Sequence, residues 1–337
     1  MSEAPRPVVS VCIANYNGIG LIEACIDSIR EQSDAPTFEI IVHDDASTDS
    51  SVEWLRAQPD VRLIVSEQNV GFCVSNNRMV EAARGRFALL LNNDATLLPD
   101  ALHTLDRRSE ELAHSAILGM PQFDAADGRL IDRGCWLDWM MSPVSRRGAG
   151  KPPAMVIGAC MWIPRRIWDC VGGFPEFFVT NAEDVYLCCA AKAMGYKVDV
   201  TAESGFCHLV GARLGGGRAS ASGQLVLSRR RRYLSERNRL LVSRIFLSRW
   251  QRLLAWPAHW AILLAEALVM AFRARDMKLL AYPYLQSQRD ALRMLDKADE
   301  IRTRIMGCGP RTRDQIGPMV LVPSKLRLLL SHGLPRA

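Results

Sequence analysis

The chain has 337 residues, 49% hydrophobic and 23% charged, with a net charge of +6 at neutral pH. That length and apolar content can bury a large core in about two domains, which excludes a disordered or fibrous protein. Ten scattered cysteines, with Cys188 and Cys189 adjacent and no Cys-x-x-Cys pair, argue against a zinc site or a disulfide framework, so reduced thiols are expected. Residues 1–7 lack the basic start and apolar core of a signal peptide, and a cytoplasmic location is expected.

Residues 8–14 are rich in β-branched side chains and end at Asn15-Tyr16-Asn17-Gly18. Leu21, Ile22, Cys25, Ile26 and Ile29 then recur at helical spacing, so the segment predicts a strand, a loop and an amphipathic helix. The unit repeats. Residues 38–42 predict a second strand with a polar tip over 43–49 and a helix over about 50–57. Residues 61–65 predict a third strand, followed by Asn69 to Phe72 and a helix over about 74–83. The apolar run 87–91 is the fourth, and it stops at Asn92, Asn93 and Asp94. Such alternation predicts an α/β fold with a doubly wound, mainly parallel sheet whose polar tips share one edge.

The tip 92–94 has two readings. Asn and Asp favour turns, and Leu97-Leu98-Pro99-Asp100 looks like a helix start. Equally, a strand buried on both faces that delivers a carboxylate at its C-terminal end is building a site, because α/β sheets bind ligands outside those ends.

Residues 101–113 predict a helix. Trp136, Trp139, Met140 and Met141 then form an aromatic and sulfur-rich patch, either a wall for a second substrate or a hydrophobic satellite cluster, with the cluster favoured. Residues 156–163 read as a strand and 165–171 as a helix closed by Gly172-Gly173-Phe174-Pro175. Glu183-Asp184 opens another helix, running to about Met194.

After Gly205 the character changes. Arg229, Arg230, Arg231, Arg232, Arg237, Arg239, Arg244, Arg249 and Arg252 fall in one stretch against Glu236 alone, which suggests a solvated basic face or an anchor to an anionic surface. Residues 253–272 are almost wholly apolar, broken by Pro257, His259 and Glu266. They are long enough to reach across a bilayer, yet the proline and ionisable groups favour a helix lying in the interface. Basic charge beside apolar area favours the anchor. Residues 284–306 return to a charged helical pattern.

In chain order, Ile13-Ala14-Asn15-Tyr16-Asn17, Val42-His43-Asp44-Asp45-Ala46-Ser47-Thr48-Asp49, Asn69-Val70-Gly71-Phe72 with Asn77, Leu91-Asn92-Asn93-Asp94, Gly158-Ala159, Gly172-Gly173-Phe174, Glu183-Asp184 and Gly195-Tyr196 resemble the motif series of family 2 inverting glycosyltransferases, in particular a bacterial rhamnosyltransferase-like branch. The resemblance covers roughly residues 8–240. It implies the glycosyltransferase A fold over 1–222, a basic and apolar helical region associated with a membrane over 223–310, and a tail over 311–337.

The resemblance also implies roles. Asp94 would bind a divalent metal, Mn2+ or Mg2+, with the donor diphosphate supplying further oxygens, and His208 resembles the family's later histidine ligand. A lone histidine is also commonly structural. Asn92 stands where a first carboxylate is often found, which implies a weakly held metal. Asp184 would be the base and Glu183 would orient the acceptor, although acidic residues also suit a helix N-terminus. Tyr186 and Ala190 depart from an Asp and an Arg of the family pattern and put acceptor contacts in question.

Asp44 would accept from the N3–H of a uracil or thymine ring, or else cap the following helix, a role better suited to Ser47 or Asp49. Asn15, Asn17 and Asn93 would line the nucleotide pocket, where Asn17-Gly18 is also an ordinary turn. Asn69 and Asn77 would touch the nucleotide or brace its loop.

The expected partners are a nucleotide-sugar donor, a glycan or polyprenyl-linked acceptor and an anionic membrane surface, with a homo-oligomer left open. Nucleic acid is not expected, because no aromatic platform or helix-turn-helix signature accompanies the arginines. A non-catalytic sugar-nucleotide binder is the alternative, ahead of a nucleotidyltransferase, which would carry a basic phosphate loop near the first strand.

Overall fold

The computed structural model describes residues 6–148, 150–209, 216–219, 225–307 and 319–320, so most of the tail lies outside the described residues. Contacts divide the chain into two compact units, residues 1–135 with 145–209 and residues 136–144 with 210–337. The excursion 136–144 into the second unit contains the aromatic and sulfur-rich patch Trp136, Trp139, Met140 and Met141.

The first unit holds β1 (Val9–Asn15), β2 (Phe38–Asp44), β3 (Val61–Val65), β4 (Phe87–Asn92), β5 (Ala95–Leu97), β6 (Ala116–Gly119), β7 (Gln122–Asp124), β8 (Leu130–Asp132), β11 (Cys160–Pro164), β12 (Lys197–Val200) and β13 (Phe206–His208); β9 (Cys135–Asp138) and β10 (Pro143–Ser145) lead into and out of the excursion. Its helices are α1 (Ile22–Arg30), α2 (Ser51–Arg56), α3 (Phe72–Ala82), α4 (Ala101–Glu111), α5 (Arg165–Val171) and α6 (Glu183–Ala193).

Seven strands form the main sheet in the order β12-β6-β11-β4-β1-β2-β3. The pairs β1–β2, β1–β4, β2–β3 and β12–β6 are parallel, while β11 runs antiparallel to both β4 and β6. The expected doubly wound α/β sheet is therefore mixed around one reversed strand.

From β1 the chain builds toward β2 and β3 on one side and toward β4 on the other. This reversal leaves a crevice at the carboxyl ends of β1 and β4, where open α/β sheets bind ligands. β4 can sit centrally because residues 87–91 are all at most 2% exposed. Truncating one of its leucines to alanine costs about 2–5 kcal/mol by the usual cavity penalty. Gly85 admits the strand, since a Cβ there would stand 2.6 Å from the Ser10 backbone nitrogen.

A smaller sheet, β5-β13-β7-β8, continues from the tip of β4. The residues just after Asp94 thus form a short strand, and the helix start read at Leu97-Leu98-Pro99-Asp100 follows it, with Asp100 as the N-cap of α4. Residues 156–159, read as strand, precede β11 without belonging to it.

The second unit contains α7 (Arg229–Phe246), α8 (Arg249–Ala274), α9 (Gln286–Arg293) and α10 (Leu295–Gly307). Its arginines correct the expectation of an open basic face. Of the nine, only Arg229, Arg230 and Arg249 are exposed. Arg229 pairs with Asp276 at 3.1 Å, Arg232 with Glu266 at 2.8 Å, Arg239 with Glu236 at 3.1 Å and Arg244 with Asp299 at 2.6 Å. Most of these carboxylates lie later in the chain than the arginine stretch, so a local charge count misses them. Met140 lines a small gap with Leu240, Ser243, Leu247 and Trp256.

Candidate active site

The tips of β1, β2 and β4 are joined by a chain of side-chain amides. Asn93 Nδ2 donates to Asn15 Oδ1 at 2.7 Å, and Asn15 Nδ2 donates to Asp44 Oδ2 at 2.7 Å. Asp44 also accepts from the Ser47 backbone N–H at 2.8 Å and from the Ser47 hydroxyl at 2.7 Å. It is fully buried, and its three side-chain hydrogen bonds go to Asn15 and Ser47, whose orientation it fixes. The helix-cap alternative does not describe it, because Asp49 accepts from the Ser51 N–H at 3.0 Å at the start of α2.

Asn17 takes a left-handed conformation, φ 50°, which asparagine tolerates better than most residues. It accepts from the Thr48 N–H at 2.7 Å and donates its own backbone N–H to Ser47 Oγ at 2.7 Å. Asp45, to which sequence reasoning assigned no role, accepts from the N–H groups of Val70 and Gly71 at 2.6 and 2.9 Å. It thereby holds the loop carrying exposed Asn69, whose Nδ2 donates to the Asp45 carbonyl at 3.3 Å. The only sequence signal for Asp45 is its place as the second acid of a pair.

Asn77 is a brace. It donates to the Phe174 carbonyl and accepts from the Phe174 N–H, both at 2.9 Å, and so clamps the turn after α5.

Asp94 and His208 meet at the start of β5 and the end of β13. Leu209 N–H donates to the Asp94 carbonyl at 3.0 Å, which fixes the two backbones side by side. His208 Nε2 lies 3.1 Å from Asp94 Oδ1, and Asn92 Nδ2 lies 3.4 Å from the same nitrogen. On its other side, His208 Nδ1 is 2.9 Å from the Gln122 amide nitrogen. Gln122, from β7, has no sequence signal, because only the pairing of β7 with β13 brings it here.

No three His, Cys, Asp or Glu side chains converge as a metal cage among the described residues. The Asp94–His208 pair nevertheless fits a divalent cation. Two donors 3.1 Å apart match neighbouring ligands of an octahedral ion, about 3 Å apart for bonds of about 2.1 Å. The carboxylate oxygen suits manganese or magnesium, with the imidazole as a softer second ligand and the remaining positions left for oxygen donors.

Glu183 and Asp184 open α6. Gly158 N–H donates to Asp184 Oδ2 at 3.2 Å, while Asn92 N–H donates to the carbonyl of the neighbouring Ala159 at 2.9 Å. Two consecutive residues thus tie Asp184 to the β4 tip. Burial pushes the Asp184 carboxyl above its ordinary range, opposed by the N–H groups of Gly158 and Val185. Burial also pushes Asp132 up to about 6, against the Gly134 N–H and the nearby His208. Tyr186 and Ala190, the departures from the family pattern, are fully buried on α6, with Tyr186 edge-on to Phe178 at 5.9 Å. They are packing positions in this chain.

Residues 10–172 match the family model Glycosyl transferase family 2. The succinoglycan biosynthesis protein ExoO of Rhizobium meliloti (strain 1021) is 35% identical over 129 residues, 37% of this chain and 36% of the relative. A chondroitin synthase of Escherichia coli is 30% identical over 183 residues, 53% of this chain and 25% of the relative. The chain therefore spans about a third or less of the length of these curated relatives.

Two solved structures share the fold. The Pyrobaculum calidifontis mannosyltransferase PcManGT, in complex with GDP-Man and Mn2+, has a TM-score of 0.52 at 21% identity and covers 90% of this chain and 86% of its own. GalNAc-T7 with UDP, GalNAc and Mn2+ has a TM-score of 0.57 at 15% identity and covers 73% of this chain and 49% of its own. The fold is that of glycosyltransferase A enzymes.

Proposed function

We propose, for a chain whose residues 10–172 are a glycosyl transferase family 2 domain, that it transfers a sugar from a UDP- or dTDP-linked donor to a hydroxyl of a glycan or lipid-linked acceptor, inverting the anomeric centre, in bacterial cell-surface polysaccharide synthesis. The observation that carries this reading is the meeting of Asp94 and His208, 3.1 Å apart, at the sheet edge that also holds the Asn93–Asn15–Asp44 chain.

In this reading Asp94 and His208 hold the divalent ion, which supplies charge neutralisation to the departing diphosphate. Asn15, Asn17 and Asn93 line the nucleotide pocket, with Asp44 setting the orientation of Asn15 and Ser47 and Asn69 standing at the rim. Asp184 takes the proton of the acceptor hydroxyl, whose oxygen attacks the anomeric carbon from the face opposite the diphosphate. The bond from that carbon to the diphosphate oxygen breaks, and its electron pair leaves with the nucleotide. Glu183 orients the acceptor.

The outer face of α8 supports a peripheral membrane location on the cytoplasmic side. The helix is about 39 Å long at about 1.5 Å per residue, and by length and composition alone it is apolar enough to cross a membrane. One face, with His259, Leu263, Glu266, Ala267 and Met270, is buried within its unit. The opposite face exposes Trp250, Leu253, Leu254, Trp260, Leu264, Leu268 and Phe272. A one-sided apolar ridge with exposed Arg249, Arg273 and Arg275 near its ends suits a helix lying in an anionic interface better than a span.

The test of the activity is a panel of UDP-, dTDP- and GDP-sugars with Mn2+, read by thermal shift and by release of nucleoside diphosphate. Stabilisation and release with one donor class are expected. Stabilisation without release from any donor favours the non-catalytic binding reading, and neither response overturns both.

A further inference from the structure

His208 is held from behind by Gln122, and Asp132 stands opposite Gln122 across the β7–β8 pair; the transfer reaction explains neither. With the Gln122 amide nitrogen turned to His208 Nδ1 at 2.9 Å, Gln122 Oε1 is buried without a hydrogen-bond partner. The same is true of Asp132 Oδ2, whose other oxygen accepts from the Gly134 N–H at 2.9 Å. Gln122 and Asp132 are directly opposite each other in the antiparallel β7–β8 pair, and both are 2% exposed. Residues opposed in this way stand on the same face, with Cβ atoms about 5 Å apart.

Two orphaned acceptors side by side in a dry interior are unfavourable, and one rotation removes both. An amide oxygen and nitrogen occupy nearly the same space, so a half-turn of the Gln122 amide exchanges them without moving other atoms. Oε1 then stands where the amide nitrogen was, 2.9 Å from His208 Nδ1, and the amide nitrogen takes the place of the unpartnered oxygen.

We propose that Gln122 and Asp132 are positioning residues for a metal-binding histidine: Gln122 Oε1 accepts from His208 Nδ1–H, Gln122 Nε2 donates to Asp132 Oδ2, and His208 is left with a bare Nε2 beside Asp94. A histidine binds a cation only through an unprotonated ring nitrogen, so the partner of the opposite nitrogen decides whether it can serve. The relay rests on the reading of Asp94 and His208 as cation ligands, and it adds the hydrogen-bond order that makes His208 competent.

The test is Mn2+ titration of the full chain in the presence of UDP, followed by electron paramagnetic resonance, with the melting temperature measured alongside. Gln122→Met should weaken Mn2+ binding about 10- to 100-fold, the usual effect of losing such a partner. Gln122→Glu alone sets two carboxylates against each other and should also weaken it. Adding Asp132→Asn to Gln122→Glu should bring the affinity back to within a few-fold of the parent, because the introduced carboxylate accepts from both the imidazole and the introduced amide.

A purely structural role for the two residues would move the melting temperature without moving the affinity. Equal Mn2+ affinity in Gln122→Met and parent overturns the relay while leaving the ligand pair intact. Should Gln122→Met fail to fold, the double variant decides: recovery over Gln122→Glu supports the relay, and no recovery overturns it. A parent that takes up no Mn2+ with UDP overturns the ligand pair and the relay together.

Discussion

His208 Nε2 and Asp94 Oδ1 stand 3.1 Å apart although 114 residues separate them in the chain. Pairing of β13 with β5, which sets His208 opposite Ala95, creates the contact. Both side chains are about one-tenth exposed, enough to meet a ligand from the pocket side while the backbone holds them together.

Asp94→Asn keeps the size of the side chain and removes its charge. The expected result is at least a tenfold loss of affinity for Mn2+ and for UDP measured with Mn2+, and a smaller change for UDP alone, since one anionic ligand accounts for most of the coupling between ion and diphosphate. Isothermal calorimetry with and without Mn2+ separates the two. Unchanged affinity in both titrations refutes the ligand role.

Asp184→Asn should retain donor binding and lose about 10²- to 10⁴-fold in turnover, the range for removal of a general base. Its pH behaviour follows from the raised carboxyl. A base must be ionised, so the acidic limb of the rate profile should lie above the ordinary aspartate value of about 3.9. Stability runs the other way. A carboxyl raised in the fold favours folding while protonated and loses that contribution as pH climbs through the folded value, so Asp184→Asn should melt higher than the parent at pH 7 and lose the advantage near pH 4. A variant that melts lower at pH 7 and keeps its turnover contradicts both statements.

Asn77 makes two 2.9 Å hydrogen bonds to the Phe174 backbone. Asn77→Ala leaves those groups unsatisfied and should cost about 1–3 kcal/mol of stability. Chemical denaturation reads the loss, and the affinity for UDP should stay within about twofold. A tenfold drop in nucleotide affinity at unchanged stability would return Asn77 to the pocket.

Leu254, Leu264 and Phe272 are among the exposed apolar residues on α8. Replacing all three with Asp should release the protein from vesicles containing anionic lipid in a flotation assay and leave the fold intact, because none of them packs in the interior. High salt alone should weaken binding only in part, since the apolar ridge supplies a second, unscreened contribution. Full retention of the triple variant on vesicles argues that α8 is not the contact.

The alternating strand and helix pattern, the burial of β4 and the polar tips at Asn15, Asp44 and Asn92 to Asp94 were legible in the residues themselves. Strand periodicity, chain reversals and buried runs are local properties, so a short window of sequence carries them. Apart from His208, the proposed site residues stood in the motif series; the structure shows which partners they have. Asp44 is buried against Asn15 and Ser47, Asn77 braces a turn, and Tyr186 and Ala190 fill core space.

What only the tertiary structure decided depends on partners far away in the chain. The arginines of α7 look like an open basic face until Glu266, Asp276 and Asp299 arrive from later helices to pair with them. Gln122 and Asp132 stand behind His208 only because β7 pairs with both β13 and β8. A side chain's type can be read in isolation, but its charge partner and its hydrogen-bond order are set by whichever strand the fold lays beside it.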